Sequence, residues 1–265
     1  MKKLLAIAVC ISVAFTLFSC SRSSHKAVTL AGSTAFQPFA EKLAEHYMAE
    51  HKDAHINVQG GGSAVGIQSA LSGAANIGMA DLPTLPDEAK ELSSTIVARD
   101  GIAVVVNPKN NITNLSIQQV KDVFSGKIAN WKELGGLDAE IRVVSREEGS
   151  GTRRSFDKLA LESAKLSPKA LFQNSNGTIR EAVASDPNAI SYLSIGIVDN
   201  RVRAVSYNGV SPTNENVKKG LYQLARPVYF LTKGEQSEQV KAFIDYVLSK
   251  EAQDILENEG LIAVK

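Results

Sequence analysis

The stretch Arg146-Glu147-Glu148-Gly149-Ser150-Gly151-Thr152 brings a guanidinium, two hydroxyls and flexible backbone together in seven residues. It follows an apolar, strand-like run over 141–145 and opens a helical run predicted for 152–163. The first amides of a helix lack internal partners and carry the positive end of its dipole. Ser150 and Thr152 add O–H donors, and Gly149 and Gly151 let a ligand approach the backbone. Arg146 adds a planar fork able to bond two oxygens of a phosphate-like group. Such a segment is either an oxyanion grip or a plain capped helix start beside a surface arginine, since Ser and Thr caps are common.

Two further junctions share this chemistry. Gly32-Ser33-Thr34 lies between a short strand over 27–31 and an apolar helical stripe over 36–51, with Pro38 tolerated in its first turn. Gly60-Gly61-Gly62-Ser63 lies between a strand over 56–58 and a helix over 64–71. Small residues and hydroxyls placed after a strand put donors at the carboxyl edge of a sheet, where open α/β folds bind ligands. Three such junctions in one chain favour a binding site over coincident caps.

The rest of the chain keeps alternating. Residues 75–80 form a small, buried-looking strand with Asp81 at its end, and 101–106 form an apolar strand closed by Asn107-Pro108. Short helices are predicted at 87–92, 117–124, 131–134 and 179–185, strands at 190–193, 202–207 and 228–232, and closing helices at 240–248 and 251–256. This alternation predicts an α/β fold of open sheets flanked by helices. The apolar strands ending at Asn107 and Thr232 lie where composition changes. They predict a double crossover between a first lobe of 27–106 plus 226–265 and a second lobe of 107–225.

The first residues read as a leader. Lys2 and Lys3 precede an apolar run over 4–18, short for a bilayer span and suited to a signal peptide. Leu17-Phe18-Ser19-Cys20 resembles a bacterial lipobox, which predicts a signal peptide over 1–19, lipid attachment at Cys20 and a tether over 20–26. Cys10 and Cys20 are the only cysteines, so no disulfide or Cys-based metal site is expected in the folded part. His25, His46, His51 and His55 cluster near the start, and His51 and His55 straddle a helix end, so no metal pair is expected. Losing two lysines leaves the 29 basic and 28 acidic residues near balance, which argues against nucleic acid as a partner.

The ordered motifs Gly32-Ser33-Thr34, Gln59-Gly60-Gly61-Gly62-Ser63, Ala80-Asp81 and Arg146 to Thr152 resemble those of the phosphate-binding proteins of bacterial high-affinity phosphate importers, the PstS family. Phe124-Ser125-Gly126-Lys127-Ile128, Asn130-Trp131 and Ala189-Ile190-Ser191-Tyr192 are similar to family landmarks, although the family usually has glycine where Ser191 stands. The resemblance spans nearly the whole mature chain. It implies a two-lobed, periplasmic-binding-protein-like fold of type II. It also implies a monomer in the cell envelope, anchored through Cys20, that delivers inorganic phosphate to ABC permease subunits without a cofactor.

Carried over residue by residue, the resemblance implies that phosphate is held by Ser33, Thr34, Ala35 and Ser63 from one lobe and by Arg146, Ser150, Gly151 and Thr152 from the other. Glu148 would orient Arg146. Asp81 would accept the ligand's proton: a carboxylate repels an aprotic anion in a poorly hydrated cleft, but bonds a protic one. Its plain alternative is a cap at a strand end. Arg153 is left between a cleft charge and a helix start, and Asn174, Asn176 and Gly177 form a polar loop outside the core set. A binding protein for sulfate or a metal oxyanion is one rival. A phosphatase using Ser63 or Ser150 is another, but no histidine lies near either serine and no glycine-x-serine-x-glycine elbow is present.

Overall fold

The computed structural model describes residues 27–264. The expected signal peptide and the tether with Cys20 lie outside the described residues. In chain order the strands are β1 (Val28–Gly32), β2 (Ile56–Gln59), β3 (Ile77–Asp81), β4 (Leu92–Val106), β5 (Asn114–Leu115), β6 (Arg142–Arg146), β7 (Leu171–Gln173), β8 (Ala189–Ser194), β9 (Arg203–Tyr207) and β10 (Ala225–Lys233). The α-helices are α1 (Gln37–Glu50), α2 (Ser63–Ser72), α3 (Ile117–Ser125), α4 (Gly151–Phe156), α5 (Asn176–Ser185), α6 (Asn214–Lys218), α7 (Glu238–Val247) and α8 (Lys250–Asn258). No helix among the described residues is long and apolar enough to cross a membrane.

Strands are ordered β2-β1-β3-β10-β4-β8-β6-β7, with β9 on β4 and β5 on β9. β1 is parallel to β2 and β3, and β10 is antiparallel to β3 and β4. β4 spans both halves: residues 92–101 pair with β10, and residues 102–106 pair with β8 and β9. The neighbours therefore change at Gly101/Ile102, and the return passage lies at Leu224/Ala225, where the Ile102 amide donates to the Leu224 carbonyl. The first ten residues of β4 do not read as a strand because a register shift opposite Val228/Tyr229 puts Val97 and Ala98 both inside, which breaks the alternation of a half-buried strand.

Each half buries an apolar layer on both faces of its sheet. In the first, Leu30, Phe36, Leu43, Met79, Phe230 and Phe243 form one layer, and Ile67, Ala70, Ala80 and Leu231 pack with α2 on the other. In the second, Ile102, Val104, Phe124, Trp131, Phe156 and Tyr192 pack together, while Ala103, Val105, Ile179, Val183 and Leu193 face α5. Ile102/Val104/Val106 and Ala103/Val105 thus divide by the period of two expected of a strand buried on both sides. Helix α2 lies directly on the sheet because Gly66 has no side chain: a Cβ there would sit 2.4 Å from the Met79 carbonyl oxygen and 2.9 Å from that of Ala31.

Phe230 is fully buried against Phe36 (ring centroids 5.9 Å apart) and Phe243 (6.4 Å). Phe230→Ala is expected to lower unfolding free energy by about 3–5 kcal/mol through lost transfer energy and a residual cavity. Denaturant unfolding checks this, and a loss below about 1 kcal/mol would contradict the assigned core.

Candidate functional site

The three glycine-hydroxyl junctions converge. Ser33 stands after β1, where its Oγ accepts from the Phe36 amide (3.1 Å) and shapes the turn through buried Ala35 into α1. Ser63 opens α2 and is fully buried. Its Oγ donates to Asp81 Oδ1 at 2.6 Å and accepts from the Asp81 amide at 3.1 Å. Asp81 ends β3, buried on all sides.

From the other half, Arg146 ends β6 and Ser150 caps α4, with its Oγ accepting from the Arg153 amide at 3.2 Å. Thr152 donates to Asp81 Oδ2 (3.2 Å), and the Ser155 hydroxyl donates to the Asp81 carbonyl (3.1 Å). The Ala64 amide, at the start of α2, donates to the Gly149 carbonyl at 3.1 Å. These bonds cross between the halves, so the structure is a closed one. Gly151 is what permits it: a Cβ there would lie 2.1 Å from Ser63 Oγ and 2.4 Å from Asp81 Oδ1. The helix that follows is shorter than the expected 152–163, because α4 passes into a π-turn at Asp157–Leu161.

Arg146 is buried, and burial pulls its pKa below the usual guanidinium value while Asp81 opposes that shift. Its Nε donates to the Gln173 carbonyl (3.1 Å), and its Nη2 donates to the Asn174 carbonyl (3.0 Å) and to Thr34 Oγ1 (3.1 Å). Its Nη1 is buried with no hydrogen-bond partner among the described residues, which leaves one edge of the fork uncommitted. The orienting task expected of Glu148 falls to the carbonyls of Gln173 and Asn174. Glu148 is exposed, and its own carbonyl accepts from Arg154 Nε at 3.2 Å. Arg153 turns away from the cluster, with its Nη1 on the Arg146 carbonyl (3.0 Å) and its guanidinium over Phe172 (5.3 Å to the centroid).

Sequence reasoning missed several members. Arg226 on β10 is buried, with Nε 2.8 Å and Nη2 2.6 Å from Asp81 Oδ2. The same Nη2 lies 3.1 Å from Thr152 Oγ1 and 3.0 Å from Asp100 Oδ2. Ser194 donates to Asp100 Oδ1 at 2.7 Å. Burial pushes the Asp100 carboxyl up to about 6, against the opposing pull of Arg226. Asn176, set aside in the polar loop, is fully buried: its Nδ2 donates to Thr152 Oγ1 (3.3 Å), and its Oδ1 accepts from the Ser194 amide (3.2 Å). An arginine two residues into a strand carries no local signal. Its register beside Asp100, which puts the two side by side, is tertiary information.

Among the described residues no histidine hydrogen-bonds Ser63 or Ser150, and no group of three or more His, Cys, Asp or Glu is placed to hold a metal. The site therefore offers hydroxyls, helix-start amides and a guanidinium edge around one carboxylate. That chemistry suits recognition of a compact oxyanion.

Residues 20–251 match the family model for a PBP superfamily domain. The phosphate-binding protein PstS of Bacillus subtilis is 39% identical over 242 residues, covering 89% of this chain and 80% of that relative. A crystal structure of a putative phosphate ABC transporter substrate-binding protein with bound phosphate, from Clostridium perfringens, is 40% identical with a TM-score of 0.88 and covers 91% of this chain and all of that one. An ABC-type phosphate transport receptor from Vibrio cholerae is 36% identical with a TM-score of 0.74, covering 90% of this chain and all of its own.

Gly151→Ala is expected to push Ser63 and Asp81 away from α4 and open the two halves. Small-angle scattering should then read a larger radius of gyration than for the parent protein, and an unchanged curve would contradict the close approach.

Proposed function

Because the chain belongs to the PstS family of phosphate-binding proteins within the PBP superfamily, we propose that it captures inorganic phosphate between two lobes and delivers it to an ABC-type permease. The observation that carries this reading is the meeting of Ser63 and Thr152, from the two halves of the fold, on buried Asp81, with Arg146 reaching across the same divide to Thr34. The lobes are proposed as 27–106 plus 226–265 and 107–225, a reading supported by the change of strand partners at Gly101/Ile102 and at Leu224/Ala225, close to these bounds. Ser33, Thr34 and Ser150 supply hydroxyl donors, Ala35, Ser63, Gly151 and Thr152 supply amide donors because the Ser63 and Thr152 hydroxyls donate to Asp81, and the uncommitted Nη1 of Arg146 supplies a charged one.

Asp81 reads whether the guest is protic. Each carboxylate oxygen accepts about two hydrogen bonds. Oδ2 is taken up by Arg226 and Thr152, whereas Oδ1 holds only the Ser63 hydroxyl and keeps capacity for one more. Phosphate at neutral pH carries a hydrogen that can fill it. Sulfate carries none and would face the carboxylate as a bare anion, at a cost that grows as water is excluded. Closure around the bound anion presents one surface to the permease, so the loaded form is distinguished from the open one.

Lipid attachment at Cys20 after removal of residues 1–19 would tether a monomeric protein outside the cytoplasmic membrane. No catalysis is proposed: among the described residues no histidine hydrogen-bonds Ser63 or Ser150, and Asp81, which Ser63 reaches, is tied to Arg226.

Titration calorimetry on full-length protein stripped of carried-over anion should show one phosphate bound per chain at neutral pH, and no phosphate release from an ester. Absence of binding refutes the reading, and ester hydrolysis would place the protein with the phosphatases. Asp81→Asn is expected to narrow the preference for phosphate over sulfate by about tenfold or more, the size of one close like-charge interaction. Unchanged selectivity would sink the proton-reading role.

A further inference from the structure

We propose that Arg226 and Asp100 set the anion selectivity of this site as positioning residues, Arg226 fixing Asp81 and Thr152 while Asp100 and Ser194 fix Arg226. The inference rests on reading the site as a phosphate site. It concerns residues that touch the recognition groups from behind.

The geometry makes this more than a stabilising ion pair. Arg226 Nε and Nη2 both converge on Oδ2 of Asp81, at 2.8 and 2.6 Å, so the carboxylate is turned with Oδ1 toward Ser63 and Gly151. Asp100 is the register partner of Arg226 on the adjacent strand, and the two carboxylates share one guanidinium. Arg226 Nη1 is buried with no partner among the described residues, so the whole hold runs through one edge of the group. Ser194 on β8, whose amide is tied to Asn176 and through it to Thr152, locks the far side of Asp100. The clamp therefore links β3, β4, β8, β10, α4 and α5 around the recognition carboxylate.

Sharing has an electrostatic consequence. When Asp100 is ionised, Arg226 is divided between two carboxylates and the surroundings of Asp81 carry one more negative charge. A guest anion is then penalised, and a dianion more than a monoanion. The charged groups that reach Asp100 are Arg226 on β10 and Asp81 on β3, and Ser194 on β8 is its neutral partner. Burial pushes the Asp100 carboxyl up to about 6, so its charge changes in a range open to experiment. Below that value Asp100 is neutral and anions bind more tightly. Above it, binding weakens, and binding near it draws a proton onto Asp100.

The test titrates phosphate and sulfate into full-length wild type, Asp100→Asn and Arg226→Lys from about pH 5 to about pH 8. The titration of phosphate itself is common to all three, so differences between profiles report the protein. Asp100→Asn is expected to bind phosphate about tenfold more tightly than wild type at the alkaline end, with the two converging at the acid end. Where Asp100 is already ionised in wild type and phosphate is still largely a monoanion, its sulfate affinity should rise further than its phosphate affinity, lowering the phosphate-to-sulfate ratio there. Arg226→Lys keeps the charge but not the two-pronged hold, and is expected to lose discrimination while still folding. Parallel profiles and unchanged ratios in Asp100→Asn overturn the inference while leaving phosphate binding intact. Absence of phosphate binding in wild type overturns the reading of the site and this inference with it. Should Arg226→Lys fail to fold, Asp100→Asn decides alone.

Discussion

One buried guanidinium between two buried carboxylates is the constraint around which the molecule is arranged. Arg226, Asp81 and Asp100 are almost without solvent exposure, and each comes from a different strand. A charge taken out of water is tolerated only if it is paired and hydrogen-bonded, and removing one partner of such a pair costs on the order of 3–5 kcal/mol. The strands must therefore hold their relative register to within a fraction of an ångström. They do so where β10 and β4 run antiparallel, close to the passage between the halves. Thr152 joins the same guanidinium from the other half, so the charge cluster is also a clasp.

The clasp explains why small residues stand where they do. Donors from one half can meet acceptors from the other only if backbones approach closely, and Gly151 against Ser63 and Asp81 is the tightest such approach. Arg146 is held by two backbone carbonyls and by Thr34 across the divide, which fixes the plane of its fork without using a second carboxylate. This matters electrostatically. A carboxylate on Arg146 would cancel the charge needed for an anion, whereas carbonyls orient it and leave the charge in place.

Legibility in the sequence followed the range of the interaction. The hydroxyl-glycine junctions before α1, α2 and α4 were readable because a cap and a strand end are local features, and Asp81 was readable as a polar residue closing a buried run. Arg226, Asp100, Ser194 and Asn176 were not, since each takes its meaning from a strand or helix neighbour distant in sequence. The first ten residues of β4 escaped for a different reason: a bulge removes the alternation by which strands are recognised, and Asp100 lies in that part. Glu148 shows the converse error. It stands two residues from Arg146, but the loop turns it to solvent while residues 173 and 174 arrive from β7 to do the orienting.

A carboxylate that discriminates by charge has to be dehydrated, because water would screen it, and a dehydrated carboxylate needs a counter-charge. A cation bonded to Oδ1 would supply one, but it would occupy the acceptor that a protic guest needs. Placing it on the opposite side, bonded to Oδ2, leaves Oδ1 as the acceptor beside Ser63. Dividing that cation with Asp100 keeps Asp81 from being fully neutralised. Stability and selectivity thus pull Arg226 in opposite directions. On the proposed reading, the buried second acid, whose charge is itself disfavoured by desolvation, would set the balance between them.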